Sequence, residues 1–159
     1  MILVTGGAGY IGSHTCVALA VAGIDFTILD NFCNSSRSVV IRLEQLIGRP
    51  IKAQEGDVRD EKLLERVLAQ HEITAVMHFA GLKAVGESAE LPLDYFENNV
   101  SGSLNVLKAM AKVGCRRFVF SSSATVYGDA KTVPIPEEAP LGATNPYGRS
   151  KLMVEEMLA

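Results

Sequence analysis

The sequence has few cysteines, little excess charge and no long apolar run. Cys16, Cys33 and Cys115 are its only cysteines, and they lie far apart. Their number is odd and their spacing suits no metal site, so we predict free buried thiols in a reducing compartment and no bound metal.

The charge balance and the hydrophobic pattern exclude further classes. A formal net charge of −3 gives no reason to expect nucleic acid or an anionic membrane as a partner. No apolar stretch reaches the roughly 18 residues of a membrane span. The first apolar run, Ile2–Val4, leads directly into a glycine turn. We therefore expect no signal peptide and a cytoplasmic location.

Apolar runs typical of β-strands alternate with helical patterns along the chain. This alternation predicts an α/β, Rossmann-type doubly wound parallel sheet with helices on both faces. We expect one domain over residues 1–159, truncated after about five strands, because such sheets usually add a sixth in the order 3-2-1-4-5-6. The predicted strands are Ile2–Thr5, Phe26–Leu29, Ile51–Gln54, Ala75–Phe79 and Arg117–Phe120; the helices are Tyr10–Ala22, Ser38–Ile47, Glu61–His71, Leu93–Val113 and one from Tyr147; Ala80–Ser88 and Val133–Pro146 are predicted loops.

A glycine-rich turn follows the first strand and opens the first helix. Gly6, Gly9 and Gly12 have G-x-x-G-x-x-G spacing. Gly6 allows the tight turn, Gly9 lets the backbone approach a pyrophosphate, and Gly12 lets the helix pack closely on the sheet. The helix N-terminus then offers N–H groups and a partial positive charge to an anion, which predicts a dinucleotide site.

An acidic residue, Asp30, ends the second strand. A carboxylate at this position of a dinucleotide-binding sheet hydrogen-bonds the ribose hydroxyls of the adenosine. It also repels a 2′-phosphate, so we expect NAD rather than NADP as the cofactor.

The catalytic candidates are a tyrosine and a lysine in Tyr147-x-x-x-Lys151, together with Ser123. The first two lie on one face of a helix, one turn apart. An ammonium beside a phenol favours the phenolate, which is a general base. Ser123 follows the fifth strand at its carboxyl end, where its hydroxyl can bond a substrate oxygen. Its neighbours Ser121 and Ser122 are equally consistent with turn residues.

These motifs together resemble the extended short-chain dehydrogenase/reductase family. The resemblance is carried by the glycine turn, by Ser-Ser-Ser-Ala-Thr-Val-Tyr-Gly at 121–128 and by the Tyr147/Lys151 pair. The segments Leu29–Asn31, His78–Ser88 and Asn98–Val100 narrow it to the family's UDP-glucose 4-epimerases. The resemblance covers all 159 residues, but only the N-terminal half of such an enzyme, so we expect the substrate domain to be absent.

The resemblance implies interconversion of UDP-glucose and UDP-galactose by transient oxidation at C4 of the sugar, in galactose metabolism. Tyr147 would take the proton of the 4-hydroxyl, Lys151 would hold the nicotinamide ribose, and Ser123 would bond the same sugar oxygen. A homodimer is implied for the full-length enzyme. The cofactor-binding residues carried over are Gly6, Gly9, Tyr10, Ile11, Gly12, Asp30, Asn31, Asn34, Ser35, Asp57, Val58, Phe79, Ala80, Gly81, Lys83, Asn98, Tyr147 and Lys151.

Several of these residues also fit ordinary structural roles. Asp57 fits a turn residue, Phe79 a core residue, Lys83 a solvated loop lysine and Asn98 a group that satisfies the backbone. His78 lies in an apolar strand and is predicted to be a hydrogen-bonded core residue rather than a catalyst.

Three alternatives stay open to different degrees. Sugar-nucleotide 4,6-dehydratases share the Tyr/Lys pair but need an acid and a base where this chain has Ala124 and Thr125, which argues against dehydration. An epimerase of another UDP-sugar, such as a UDP-N-acetylhexosamine, is harder to exclude, because the sugar pocket lies mostly in residues not present. An NAD-binding module without turnover is the third.

Overall fold

A computed structural model describes all residues from Met1 to Ala159, and the chain divides into two compact units. The first unit comprises Met1–Ala80 and Asn105–Ser121, and the second comprises Gly81–Leu104 and Ser122–Ala159.

The first unit contains a five-stranded parallel sheet in the order β3-β2-β1-β4-β5. This confirms the predicted fold class and the first five positions of the expected strand order. The strands are close to the predicted ones: β1 Ile2–Thr5, β2 Phe26–Asp30, β3 Lys52–Glu55, β4 Ala75–His78 and β5 Arg117–Phe120.

The central strand β1 has β2 on one side and β4 on the other. Thr5 lies opposite Leu29 in β2 and opposite His78 in β4, so the three strands end at nearly the same level. The strand order reverses here, which is where open α/β sheets bind ligands beyond the carboxyl ends of their strands. The residues that follow β1, β2 and β4 therefore determine which ligand the first unit can bind.

Alternate residues of each strand face opposite sides of the sheet, and each side has its own apolar core. Leu3 and Val76 belong to a cluster completed by the helices Glu61–Gln70 and Gly102–Lys112. Val4 and Ile28 belong to a second cluster, completed by the helices Tyr10–Val21 and Arg37–Ile47. Helices cover both faces, as predicted for a doubly wound sheet.

Three helices of the first unit lie between its strands, and two of their ends are set by the predicted residues. We number them α1 Tyr10–Val21, α2 Arg37–Ile47 and α3 Glu61–Gln70. The carboxylate of Asp60 accepts a hydrogen bond from the N–H of Leu63 and caps α3, as predicted. Gly48 ends α2, also as predicted.

The second unit is largely helical, and one prediction for it is wrong. The segment Ala80–Ser88, predicted as a loop, contains the start of α4, Val85–Glu90. The long helix predicted over Leu93–Val113 is present without a break from Pro92 to Lys112, but it contains a π-helical turn that was not predicted. Its parts are α5 Pro92–Tyr95, the π-helical turn Phe96–Ser101, and α6 Gly102–Lys112, which continues into the first unit. A 3₁₀ turn, Ala124–Tyr127, and α7, Pro146–Leu158, complete the unit.

One of the three cysteines departs from the predicted burial. Cys16 and Cys115 are buried free thiols, and burial raises the pKa of Cys16 to about 12. Cys33 is exposed, because it lies in the polar segment after β2 rather than on an element that packs on the sheet. None of the helices combines the length and the apolar character that a membrane crossing requires.

Candidate active site

In the first unit, the glycine turn joins β1 to the N-terminus of α1. The N–H of Gly6 donates to Leu29 O at 2.8 Å, and the N–H of Gly9 donates to Gly6 O at 3.1 Å. Gly9 is the N-cap residue and offers no side chain to the helix, and the first turn of α1 carries no acidic residue. The helix terminus therefore keeps its partial positive charge for an anion.

The packing roles of the glycines differ from the predicted ones. A Cβ on Gly12 would stand 2.2 Å from Gly6 O, so Gly12 lets α1 close against the turn itself rather than against the sheet. Gly7 faces the sheet, since its Cβ would lie 2.9 Å from the side chain of Ile28. The close contact predicted for Gly12 is thus present, but its partner is the turn.

The Asp30 carboxylate ties the glycine turn to the segment after β2. Its Oδ2 accepts the N–H of Ala8 at 2.9 Å, and its Oδ1 accepts Phe32 N–H and Ser35 Oγ, each at 2.9 Å. Asp30 is only 8 % exposed. A carboxylate has about four acceptor positions, so three of these are used by the protein and one remains for a ligand hydroxyl.

A second carboxylate, Asp57, lies in the segment after β3. Asn31 Nδ2 donates to its Oδ2 at 2.9 Å, and Arg59 donates to both carboxylate oxygens. The side-chain hydrogen bond from Arg59 is the main reason why the pKa of Asp57 falls to about 2. Its Oδ1 also accepts the backbone N–H of Arg59 at 2.8 Å, so these contacts are those of a turn residue, and a role of Asp57 in cofactor binding stays a prediction.

The other cofactor candidates of the first unit vary in exposure. Tyr10 and Ile11 are 75 % and 54 % exposed at the start of α1. Val58 is buried in the core, and Phe79 packs partly against the α1 side of the sheet. Two more complete the set: Asn34, which is exposed, and Ala80, which follows β4 and is half-buried.

In the second unit, α7 carries the tyrosine and lysine on one face, as predicted. Asn145 caps this helix by accepting the N–H of Gly148 at 2.8 Å. Lys151 Nζ lies 6.0 Å from the centroid of the Tyr147 ring. Lys151 is 5 % exposed, and burial lowers its pKa to about 8, so it still carries its charge at neutral pH.

Replacing Lys151 by methionine should make the unliganded chain more stable near neutral pH. Below pH 8 the ammonium is charged in both the folded and unfolded states, and the folded state bears the net cost of burial that the lowered pKa reflects. Between pH 8 and 10.5 the unfolded state binds more protons, so this cost disappears as the pH rises. We expect Lys151→Met to raise the free energy of unfolding by about 3 kcal/mol at pH 7. Denaturant unfolding of both proteins at pH 7 and pH 10 would check this, and a difference that does not shrink at pH 10 would contradict it.

Ser123 caps the 3₁₀ turn that follows β5 in the chain. Its Oγ accepts the N–H of Thr125 at 3.2 Å and Thr125 Oγ1 at 2.9 Å, which leaves its own hydroxyl hydrogen to donate. The neighbouring Ser122 Oγ is buried without a hydrogen-bond partner. Ser123 therefore keeps a hydroxyl hydrogen that it can donate to a ligand oxygen.

The remaining predicted residues of the second unit surround a residue that sequence reasoning missed. Asn99 is 2 % exposed; its amide donates to Leu82 O and to Ser150 Oγ and accepts from Leu82 N–H. Asn98 donates to the same amide oxygen at 2.9 Å. Of the other two candidates, Gly81 is close to Lys151, because a Cβ on it would lie 3.5 Å from Nζ, and Lys83 is exposed.

The structure thus groups the predicted residues into two sets. The first unit brings together the glycine turn, Asp30, Asn31, Ser35 and Asp57 around the carboxyl ends of its strands. The second unit contains Gly81, Asn98, Tyr147 and Lys151 around the first turns of α7, with Ser123 at the 3₁₀ turn.

Comparison with known proteins gives a consistent family assignment. The pattern of the NAD dependent epimerase/dehydratase family matches residues 2–159. The UDP-glucose 4-epimerase of Bacillus subtilis is 54 % identical over 157 residues, which are 99 % of this chain and 46 % of that protein.

Two solved structures superpose closely on the chain. The UDP-glucose 4-epimerase of Bifidobacterium longum, in complex with NAD⁺ and UDP, has a TM-score of 0.96 at 52 % identity. The UDP-Glc/GlcNAc 4-epimerase of Campylobacter jejuni has a TM-score of 0.93 at 38 % identity. Each alignment covers 99 % of this chain and 47 % of the other.

These matches confirm the resemblance to UDP-glucose 4-epimerases, and the chain spans about half the length of the curated relatives it matches. The family pattern covers nearly every residue, and the fold it predicts is the one observed. The chain therefore belongs to the NAD dependent epimerase/dehydratase family.

Proposed function

We propose that this chain forms the NAD-binding and proton-transfer part of a UDP-sugar 4-epimerase that interconverts UDP-glucose and UDP-galactose. The observation that carries the proposal is the buried ammonium of Lys151 on the same face of α7 as the Tyr147 phenol. A lysine buried without a function is costly to a fold, whereas a lysine that holds a ribose and favours a phenolate has a chemical reason to be there.

The residues of the first unit fit NAD. An uncapped helix N-terminus after a glycine turn suits a pyrophosphate, and Asp30 retains an acceptor position for a ribose hydroxyl. The charge of Asp30 also disfavours a 2′-phosphate, so NADP is the poorer ligand. When bound, the nicotinamide would supply the acceptor for the hydrogen that leaves C4 of the sugar.

Three side chains of the second unit would act on the sugar oxygen at C4. Tyr147 takes the proton of the hydroxyl during oxidation and gives it back during reduction. Lys151 would hold the nicotinamide ribose of a bound NAD, and its charge would stabilise the phenolate. Ser123 donates a hydrogen bond to the same oxygen through the hydroxyl hydrogen that its contacts with Thr125 leave available.

A second sugar is favoured by one comparison. The Campylobacter jejuni neighbour is named for both UDP-glucose and its N-acetylated counterpart. A UDP-N-acetylhexosamine is therefore the alternative substrate, and an NAD-binding part without turnover is the alternative role. A place in galactose metabolism, a cytoplasmic location and a homodimer of the longer enzyme belong to the same proposal.

The purified chain should carry NAD and convert UDP-galactose into UDP-glucose. Bound nucleotide is extracted and assayed first, and the chain is then incubated in separate reactions with UDP-galactose and UDP-N-acetylgalactosamine. Conversion of the first supports the main proposal, and conversion of the second only supports the alternative substrate. Bound NAD with neither conversion supports the role without turnover. A chain that takes up no added NAD contradicts all three.

A further inference from the structure

The segment Gly86-Glu87-Ser88 and the buried Tyr95 have no part in the function proposed above, although they lie in the same unit as Tyr147. Tyr95 is fully buried on α5. Its hydroxyl donates to Glu87 Oε2 at 2.6 Å and accepts the N–H of Ala84 at 2.9 Å. A fully satisfied hydroxyl bonded to a carboxylate is a fixed group, because both of its neighbours set its direction.

The ring of Tyr95 meets the ring of Tyr147 edge to face. The two centroids are 6.5 Å apart and the planes cross at 83°. Edge-to-face pairs of this kind favour one orientation of each ring over the others. Hydrogen bonds hold the hydroxyl of Tyr95, so its ring is fixed in one orientation, and the Tyr147 ring packs against a rigid neighbour.

Ser88 holds the backbone of the same residue. Its Oγ accepts the N–H of Tyr147 at 3.2 Å and donates to Val85 O at 2.6 Å. This N–H belongs to the first turn of α7, where no partner within the helix is available. Asn145 caps the N–H of Gly148, and Ser88 supplies from α4 the acceptor for the N–H of Tyr147.

A packing role alone would not require these polar groups. A phenylalanine at position 95 would fill the same space, and burial of a hydroxyl is unfavourable unless it is bonded. Burial, together with the bond to Glu87, raises the pKa of Tyr95 to about 12, so its hydroxyl remains a donor through the neutral range. Each of these polar groups contacts Tyr147 or a residue beside it. Glu87 holds the hydroxyl of Tyr95, whose ring contacts Tyr147, and Ser88 holds the backbone N–H of Tyr147.

We propose that Tyr95, anchored by Glu87, and Ser88 are positioning residues that hold the Tyr147 phenol in one orientation. The ring contact fixes the side chain, and the Ser88 hydroxyl fixes the backbone from which that side chain extends. The catalytic meaning of this arrangement rests on the proposed function, but the arrangement itself can be tested without turnover.

The test replaces tyrosine by 3-fluorotyrosine and records fluorine NMR spectra of the chain. Its four tyrosines give four signals, and Tyr147→Phe identifies the one from Tyr147. Tyr95→Phe keeps the ring and removes the hydroxyl, Ser88→Ala removes the cap, and Glu87→Gln keeps an oxygen that accepts the Tyr95 hydroxyl. Val154→Ala is the control, because Val154 is fully buried on α7 two turns beyond Tyr147.

We expect Tyr95→Phe and Ser88→Ala to shift or split the Tyr147 signal by more than its linewidth, with the signals of Tyr10 and Tyr127 in place. Glu87→Gln should leave the Tyr147 signal where it is, and Glu87→Ala should move it. Val154→Ala should lower the melting temperature and leave the signal unchanged. A Tyr147 signal that stays single and unshifted in Tyr95→Phe and Ser88→Ala, or that moves as much in Val154→Ala, overturns the proposal.

Measurement of turnover is a second test, and it distinguishes a failure of the positioning role from a failure of the proposed function. If the parent interconverts UDP-galactose and UDP-glucose, Tyr95→Phe should lower kcat by on the order of tenfold or more and leave KM nearly unchanged, because only the orientation of the base is lost. An unchanged kcat would overturn the inference. Failure of the parent to turn over contradicts the proposed function alone, and the NMR result then decides the positioning role.

Discussion

If the parent interconverts UDP-galactose and UDP-glucose as proposed, Tyr147→Phe should reduce that turnover by on the order of a thousandfold while NAD stays bound. Phenylalanine keeps the ring and its edge-to-face contact with Tyr95. It also keeps the backbone N–H that Ser88 accepts. Only the hydroxyl of the proposed base is removed, and neither neighbour would replace it, since Lys151 is cationic at neutral pH and a serine hydroxyl is a far weaker base than a phenolate.

Tyr127→Phe is the matched control for this experiment. Tyr127 lies in the 3₁₀ turn of the same unit and is half-buried, so its replacement tests the loss of a tyrosine hydroxyl that is not carried by α7. Turnover and the NAD content extracted from each purified protein are compared. The base would have to be sought elsewhere if Tyr147→Phe turned over like the parent, and equal losses in both variants would point to a general disturbance of the unit.

The sheet and the glycine turn could be predicted because their signals are local. Buried runs such as Phe26–Asp30, and glycine spacing between a strand and a helix, report directly on the elements they form. The adjacency of Tyr147 and Lys151 follows from helical geometry alone. Asp60 and Gly48 likewise act within one turn of their own positions, so the limits of α2 and α3 came out nearly as predicted.

The features that sequence reasoning missed all depend on partners distant in the chain. Helix α4 has only six residues and contains Gly86, so its intrinsic preference is weak; contacts from Tyr95 and Tyr147 hold it. The π-helical turn gives no periodic signal, yet it brings Asn99 to Leu82 and Ser150. The pair Asn98-Asn99 inside an apolar helical pattern was the one available sign of an irregularity.

The roles of Gly7 and Gly12 show the same limit. Spacing identified Gly12 as a position of close packing. Only the structure shows that a side chain at this position would clash with Gly6 O and not with the sheet. Gly7 was not singled out, because it is not part of the spaced set. The burial of Lys151 was equally invisible, since its helix position predicts a neighbour but not the loss of solvent.

Gly6→Ala should lower the free energy of unfolding by about 4 kcal/mol or more and abolish NAD binding. Gly6 has φ +68°, a left-handed conformation that costs a residue with a Cβ roughly 1–2 kcal/mol. The added Cβ would also stand 2.6 Å from Ala80 N and 2.8 Å from Phe79 C, which are backbone atoms. That backbone cannot yield easily, because the N–H of Phe79 donates to Thr5 O and the N–H of Gly6 donates to Leu29 O.

Gly23→Ala separates the cost of the left-handed backbone conformation from the cost of the steric clash. Gly23 has φ +69°, nearly the angle of Gly6, but nothing lies within 4 Å of the position its Cβ would take. It should therefore show the conformational cost alone, roughly 1–2 kcal/mol, with NAD binding intact. Denaturant unfolding and NAD titration of both variants measure the difference. Equal losses of stability would mean that the turn can move away from the segment after β4. A Gly6→Ala protein that still bound NAD would show that the cofactor does not need this close approach of the two backbones, and the turn would then lose its assigned role.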